Sequence, residues 1–231
     1  MHTNWSVIVV AAGQGKRMGT TESKQYLLIE NKPIIIHTLE RFEKISYITE
    51  IIVVVGVADL MRLEQWKEQY QLTKIKAIVA GGQERQHSVH IGLSYATNDY
   101  VMVHDGVRPF ISDSAIDACT NRAIEVGAAV LAVPVKDTIK QVNESGVIVN
   151  TPVRKSLWAI QTPQAFRRDW LIEAHERAKA DNFLGTDDAM IVEWIGKQVV
   201  VVEGEYTNIK ITTPEDLPWA DHLLRYVIKR H

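Results

Sequence analysis

Ser6-Val7-Ile8-Val9-Val10, running without a break into Ala11-Ala12-Gly13-Gln14-Gly15-Lys16-Arg17-Met18-Gly19, decides the fold. The first five residues form a short, β-branched, apolar run stopped by Gly13, the pattern of a strand buried on both faces. Working outward, Pro33 opens a helix as a first-turn residue, with Ile35, Leu39 and Phe42 along one face, and Ile51 to Val55 is a second buried strand. A helix near Asp59 to Tyr70, a strand near Ile75 to Val79, a helix near Glu84 to Ala96 and a strand at Tyr100 to Val103 follow. A helix over Ser114 to Val126 and a strand at Ala128 to Val133 continue the alternation. This rhythm predicts an α/β fold: three-layer, Rossmann-like, with a mostly parallel sheet covered by helices on both faces.

The alternation then breaks. Thr138 to Val142 and Val147 to Thr151, joined by Asn143-Glu144-Ser145-Gly146, predict a protruding β-hairpin arm over about 136–156. Helices near Arg168 to Lys179 and Asp187 to Trp194 and a strand at Gln198 to Val202 come next. The last helix has Thr213 as N-cap, Pro214 in its first turn and Asp216 at capping-box spacing, and buries Leu217, Ala220, Leu224 and Val227. With no linker or internal repeat, a single domain over 1–231 is expected.

At 231 residues, with 46% hydrophobic and 23% charged, the chain can bury one substantial core without covalent staples. A formal net charge of -2 gives no global basic field for nucleic acid or an anionic membrane; small anionic ligands in a local basic pocket suit it better. The lone Cys119, at helical spacing with Ile116, Ala123 and Val126, reads as a core residue in a reducing, cytoplasmic setting. The run from Val7 to Ala12 is too short for a signal-peptide core, and no segment reaches the roughly 18 apolar residues of a membrane span.

Ligands of parallel sheets gather at the carboxyl ends of the strands, so the loops after Val10, Val79 and Val103 share one rim. In the first of these, Gly13, Gly15 and Gly19 let backbone N–H groups approach phosphate oxygens, and Lys16, Arg17 and Lys24 add fixed positive charge. The spacing fits neither the dinucleotide fingerprint, whose third glycine comes one position earlier, nor the nucleoside-triphosphatase loop, because Arg17 stands where Ser or Thr is required. A polyphosphate site remains, against the blander alternative of a solvated turn. Asp105 at a strand end either binds a hard cation such as Mg²⁺ or caps a helix or pairs with Arg108. His104 reads as a packed core histidine, and no histidine spacing suggests zinc.

Ala11-Ala12-Gly13-x-Gly15-x-Arg17-Met18 and Lys24-Gln25-Tyr26-Leu27 resemble the signature of nucleotidyltransferases that activate small molecules. Gly81-Gly82-x-Glu84-Arg85-x-x-Ser88-Val89, His104-Asp105-x-x-Arg108-Pro109, Val133 to Thr138, Gln161-Thr162-Pro163-Gln164 and Asn208-Ile209-Lys210 resemble, in order, motifs of the 2-C-methyl-D-erythritol 4-phosphate cytidylyltransferase family. The resemblance implies CMP transfer from CTP to a small polyol phosphate with Mg²⁺ or another divalent cation. It implies catalytic roles for Arg17, Lys24 and Lys210, and nucleotide contacts from Ala11, Ala12, Gly13, Gly15, Lys16, Gly82, Arg85, Ser88 and Gly106. Acceptor contacts would come from Asp105, Arg108, Thr138, Thr162 and Lys210, with Arg154 supplied by the second subunit of a homodimer formed through the arm. Gly106 and Val107 depart from the two alanines of many relatives. A ribitol 5-phosphate cytidylyltransferase resembles the same motifs and stays open as an alternative, as does a non-catalytic nucleotide-binding regulatory module.

Overall fold

Apolar runs that alternate faces residue by residue position the whole sheet. The computed structural model describes residues 3–13 and 22–228; the side chains of 227 and 228, and with them the expected burial of Val227, lie outside the description. Strand β1 (Trp5–Ala11) leads to a small ribbon, β2 (Leu28–Ile29) and β3 (Lys32–Pro33), and then to α1 (Ile34–Glu43) and β4 (Ile48–Val55). Next come α2 (Leu60–Gln69), β5 (Ile75–Ala80), α3 (Arg85–Leu93), β6 (Tyr100–Asp105), α4 (Asp113–Val126) and β7 (Ala128–Pro134). The arm strands β8 (Gln141–Val142) and β9 (Ile148–Asn150) precede β10 (Trp158–Arg167), α5 (Arg168–Ala180), α6 (Asp188–Trp194), β11 (Val200–Glu203) and α7 (Asp216–Ile228).

The main sheet has the order β11-β7-β10-β6-β1-β4-β5. Every pairing is parallel except the two made by β10, so the mostly parallel three-layer α/β fold stands. Val7 and Val9 of β1 pack with Leu39 and Phe42 of α1, Leu63 of α2 and Ile116 and Cys119 of α4. Ile8 faces the other way, with Val89 of α3, Leu171 of α5 and Ile191 of α6. Cys119 is fully buried, as its spacing foretells.

Three local features differ from the sequence expectations. Pro33 does not open the first helix: it ends β3 and is the N-cap of α1, after a ribbon turn in which Glu30 and Asn31 adopt φ of 47° and 60°. Strand β10 was not expected, because Gln161, Thr162, Pro163 and Gln164 lack an apolar run and proline is disfavoured in a central strand. A register shift between Ile160 and Gln164 accommodates the interruption. The last helix begins only at Asp216, whose Oδ2 accepts from the N–H groups of Thr212 (2.7 Å) and Thr213 (3.0 Å), the reaching-back half of a capping box.

The arm is an insertion in the β7–β10 connection, and the Val135 N–H to Leu157 carbonyl bond (3.0 Å) closes its base. At its tip Asn143 Oδ1 accepts from the N–H groups of Ser145 and Val147 (3.1 and 2.9 Å), the turn chemistry that its sequence carries. From 136 to 156 every residue except Pro152 is exposed. Among the described residues no helix is long and apolar enough to cross a membrane.

Candidate active site

The strand ends after β1, β5 and β6 converge, as parallel-sheet topology requires, on a cavity lined by Ala11, Ala12, Gly13, Gly82, Arg85 and Ser88 together with Lys24, Asp105 and Lys210. Close approach depends on glycine at the β5 end, where a Cβ on Gly81 would meet the Ala12 side chain at 2.4 Å. Gly82 N–H donates to Ser88 Oγ (3.1 Å). Gly106 lies buried behind the wall, its N–H on the Val10 carbonyl (2.9 Å) and its position one where a Cβ would meet Ala11 at 3.0 Å. Gly15, Lys16 and Arg17 fall outside the described residues.

Lys24 begins a short 3-10 turn ending at Tyr26. Its neighbour Gln25, 2% exposed, donates from Nε2 to the carbonyls of Ala11 (2.8 Å) and Gly13 (3.2 Å). One buried carboxamide therefore ties the segment beginning at Lys24 to the end of β1.

Asp105 is the electrostatic centre. Its Oδ1 faces Arg85 Nε (3.2 Å), and its Oδ2 faces Lys210 Nζ (2.8 Å) and Arg108 Nε (3.6 Å). Burial opposes its ionisation, but Arg85, Lys210 and Arg108 outweigh that and hold the carboxyl far below the usual range. Arg85 also reaches the fully buried Asp188 (2.7 Å), whose pKa burial raises against the pull of Arg85. Arg85, Arg108 and Lys210 thus face the carboxylates of Asp105 and Asp188, and Lys24 and Glu84 line the first cavity beside them.

Thr162 orders this centre from β10. Its Oγ1 accepts from the Asp105 N–H (3.0 Å) and lies 3.1 Å from His104 Nδ1. His104 Nε2 lies 3.1 Å from the Arg108 carbonyl, which can only accept, so the proton sits on Nε2 and the Thr162 hydroxyl donates to Nδ1. Burial pushes the His104 pKa down to about 4, which keeps the ring neutral, a packed core histidine as its sequence position suggests. Arg108, 9% exposed, donates to the Asn208 carbonyl (2.8 Å), and Asn208 Nδ2 donates to Gln161 Oε1 and the Thr162 carbonyl.

A second cavity opens on the far side of Asp105, lined by Arg108, Gln161, Thr162, Gln164, Thr186 and Asp187. Arg85, Asp105 and Lys210 belong to both cavities. Thr138 and Arg154 line neither; they sit exposed on the arm, where Arg154 Nη1 donates to the Lys136 carbonyl of its own chain (3.0 Å).

A family model described as 2-C-methyl-D-erythritol 4-phosphate cytidylyltransferase matches residues 5–226. The chain belongs to that family. Curated family members bearing that name include one from Geobacillus kaustophilus, 48% identical over 223 residues (96% of this chain, 97% of the relative). Another, from Bacillus cereus, is 50% identical over 222 residues, covering 96% and 98% of the two chains. The crystal structure of 4-diphosphocytidyl-2C-methyl-D-erythritol synthase from Anaerococcus prevotii superposes with a TM-score of 0.85 at 32% identity, covering 97% of each chain.

Within this cytidylyltransferase-family fold, Asp188 is a structural partner outside every motif read from the sequence, and Gln25, quoted within the Lys24 to Leu27 motif, gains a role that its motif did not assign. Asp188 follows the N-cap Asp187 and reads as an ordinary first-turn acid. Gln164 shows its true place: Nε2 donates to Asp187 Oδ2, and Oε1 accepts from the N–H groups of Asp188 and Ala189. No group of three metal-ligating His, Cys, Asp or Glu side chains occurs among the described residues. Asp105 therefore fits a divalent ion only as one carboxylate beside the oxygens of a bound phosphate.

Proposed function

We infer that the chain, as a single nucleotidyltransferase domain over 1–231, transfers CMP from CTP to 2-C-methyl-D-erythritol 4-phosphate. The products would be 4-diphosphocytidyl-2-C-methyl-D-erythritol and pyrophosphate, in the cytoplasmic synthesis of isoprenoid precursors by the non-mevalonate route. The observation that carries this reading is that Arg85, Asp105 and Lys210 line both of two adjoining cavities, one glycine-lined and one polar; the first is read as the nucleotide lobe and the second as the acceptor lobe.

CTP would lie along Ala11, Ala12, Gly13, Gly82 and Ser88, with Gly106 behind them and Gly15, Lys16 and Arg17 on the same loop. An acceptor phosphate held by Arg108 and Thr162 would face the α-phosphorus across Arg85, Asp105 and Lys210. Its oxygen forms the new bond to the α-phosphorus as the bond to the β-phosphate breaks, and pyrophosphate leaves. The acceptor is its own nucleophile, so the chain's work is alignment and charge neutralisation. Arg17 and Lys24 act on the triphosphate, and Lys210, held against Asp105, reaches the crowded α-phosphoryl group. Mg²⁺ carried on the triphosphate, with Asp105 as its carboxylate ligand, would neutralise phosphate charge.

The arm supports a homodimer. It exposes Ile139, Val142, Val147, Ile148, Val149 and Val153, and a two-stranded ribbon is marginal alone. Thr138 and Arg154, which line neither cavity of their own chain, would then complete the acceptor lobe of the second subunit. Pyrophosphate release from CTP, assayed with 2-C-methyl-D-erythritol 4-phosphate and separately with ribitol 5-phosphate, tests the substrate assignment. Turnover with the former is expected; turnover with ribitol 5-phosphate alone would replace it.

A further inference from the structure

Arg85 lines both cavities from the first turn of α3 and is held at two points. Its Nε faces Asp105 Oδ1 (3.2 Å), and its Nη1 faces Asp188 Oδ2 (2.7 Å). The two carboxylates stand in different settings. Asp105 opens on both cavities and serves Lys210 and Arg108 through Oδ2, whereas Asp188, 1% exposed, lines neither cavity.

Asp188 is itself fixed in place. Gln164, buried on β10, accepts through Oε1 from the N–H groups of Asp188 (3.1 Å) and Ala189 (3.0 Å), and its Nε2 donates to Asp187 Oδ2 (2.9 Å). The segment before α6 is tied to α3 as well: Gln86 Oε1 accepts from the Gly185 N–H (2.8 Å), and Gln86 Nε2 donates to the Phe183 carbonyl (3.1 Å). Neutral hydrogen bonds from Gln86 and Gln164 therefore already join α6 to its neighbours. Burying a carboxylate for the same purpose carries a desolvation cost that a join does not require.

The geometry gives that carboxylate another task. Three cations compete for the two oxygens of Asp105. A guanidinium favours a bidentate grip on a carboxylate, with two parallel N–H···O bonds. Arg85 does not take that grip on Asp105, because Asp188 holds its Nη1. Asp105 Oδ2 is thereby left to Lys210 at 2.8 Å.

We propose that Asp188 is a positioning residue for nucleotidyl transfer: by holding Arg85 to a single contact with Asp105, it keeps Lys210 in place for the α-phosphoryl group. The proposal rests on the activity inferred above and adds to it a residue that touches neither substrate.

Asp188→Asn keeps the shape and removes the charge. Its kcat should fall about tenfold or more, the effect of one lost charge-assisted contact. In an Arg85→Gln background the same substitution should lower kcat no further, because Asp188 acts only through Arg85. Val192, one turn further along α6, packs in the core with Val89 and Leu171, so Val192→Ala should lose stability in urea yet keep its kcat. A crystal structure of Asp188→Asn reads the geometry without turnover: Arg85 should grip Asp105 with two bonds, and Lys210 Nζ should lie beyond about 4 Å from it, outside ion-pair range. An unchanged kcat in Asp188→Asn, an equal loss in Val192→Ala, additive losses with Arg85→Gln, or a Lys210 still paired in that structure each overturn the proposal. A wild-type chain that forms no diphosphocytidyl product would instead sink the substrate reading, and the position of Lys210 in Asp188→Asn would still decide what Asp188 does.

Discussion

Lys210 Nζ lies 2.8 Å from Asp105 Oδ2, on the wall that the two cavities share. The carboxylate therefore does two things at once: it aims the lysine, and it balances Arg85 and Arg108. Asp105→Asn keeps the shape and removes the charge. Breaking a buried pair costs about 3–5 kcal/mol; Lys210 is 38% exposed and screened, so the lower end is expected. Urea denaturation should show that loss, together with a fall in turnover; an unchanged midpoint would mean that the three cations do not depend on Asp105.

Acid should weaken the fold well above the carboxylate range. Burial holds His104 at about 4 and His175 at about 3, so between those values and an unfolded pKa of about 6.5 the unfolded chain binds the extra protons. Stability from the neutral rings is complete above about pH 6.5 and is lost as pH falls toward the folded values, at up to about 1.4 kcal/mol per unit for each ring. Asp105 is shifted downward too, by Arg85, Lys210 and Arg108 against burial, so its contribution is lost in the same direction but only as pH falls below the unfolded value of about 3.9. Denaturation midpoints should therefore decline from pH 6.5 downward, and His104→Gln should flatten that slope.

Gln25 is a positioning residue for the phosphate loop. Gln25→Met retains the bulk but leaves the Ala11 and Gly13 carbonyls without their buried donor, at a cost of about 1–3 kcal/mol. Because the tie fixes Lys24 relative to the β1 end, KM for CTP should rise more than KM for the acceptor. Equal changes in both would assign Gln25 a purely structural role.

Much of the α/β frame was legible because the main-sheet strands β1, β4, β5, β6 and β7 each carry an apolar run bounded by Gly, Pro or charge. Strand β10 was not, since its polar residues are satisfied by partners distant in sequence: Gln161 and Thr162 by Asn208, Gln164 by Asp187 and Asp188. For the same reason the catalytic candidates on glycine-rich loops could be named from spacing and resemblance, whereas Asp188 could not. Only folding brings a first-turn acid of α6 to Arg85, 103 positions away.

Site sharing between subunits has a complementation signature. Lys24→Ala should be nearly inactive, because losing a cation that acts in the transition state raises the barrier by about 3–4 kcal/mol. Arg154→Ala should be weak for want of the partner's contribution. Co-refolded mixtures should recover about a quarter of wild-type activity, from mixed dimers with one complete site each. No recovery would place Arg154 outside any shared site.

Direct attack by the acceptor phosphate is tested most plainly by measuring pyrophosphate in a single turnover of enzyme and CTP, with and without 2-C-methyl-D-erythritol 4-phosphate. With the acceptor, one pyrophosphate should appear per diphosphocytidyl product formed. Without it, none should be released. A stoichiometric burst from CTP alone would reveal a cytidylylated protein and contradict transfer across the wall formed by Arg85, Asp105 and Lys210.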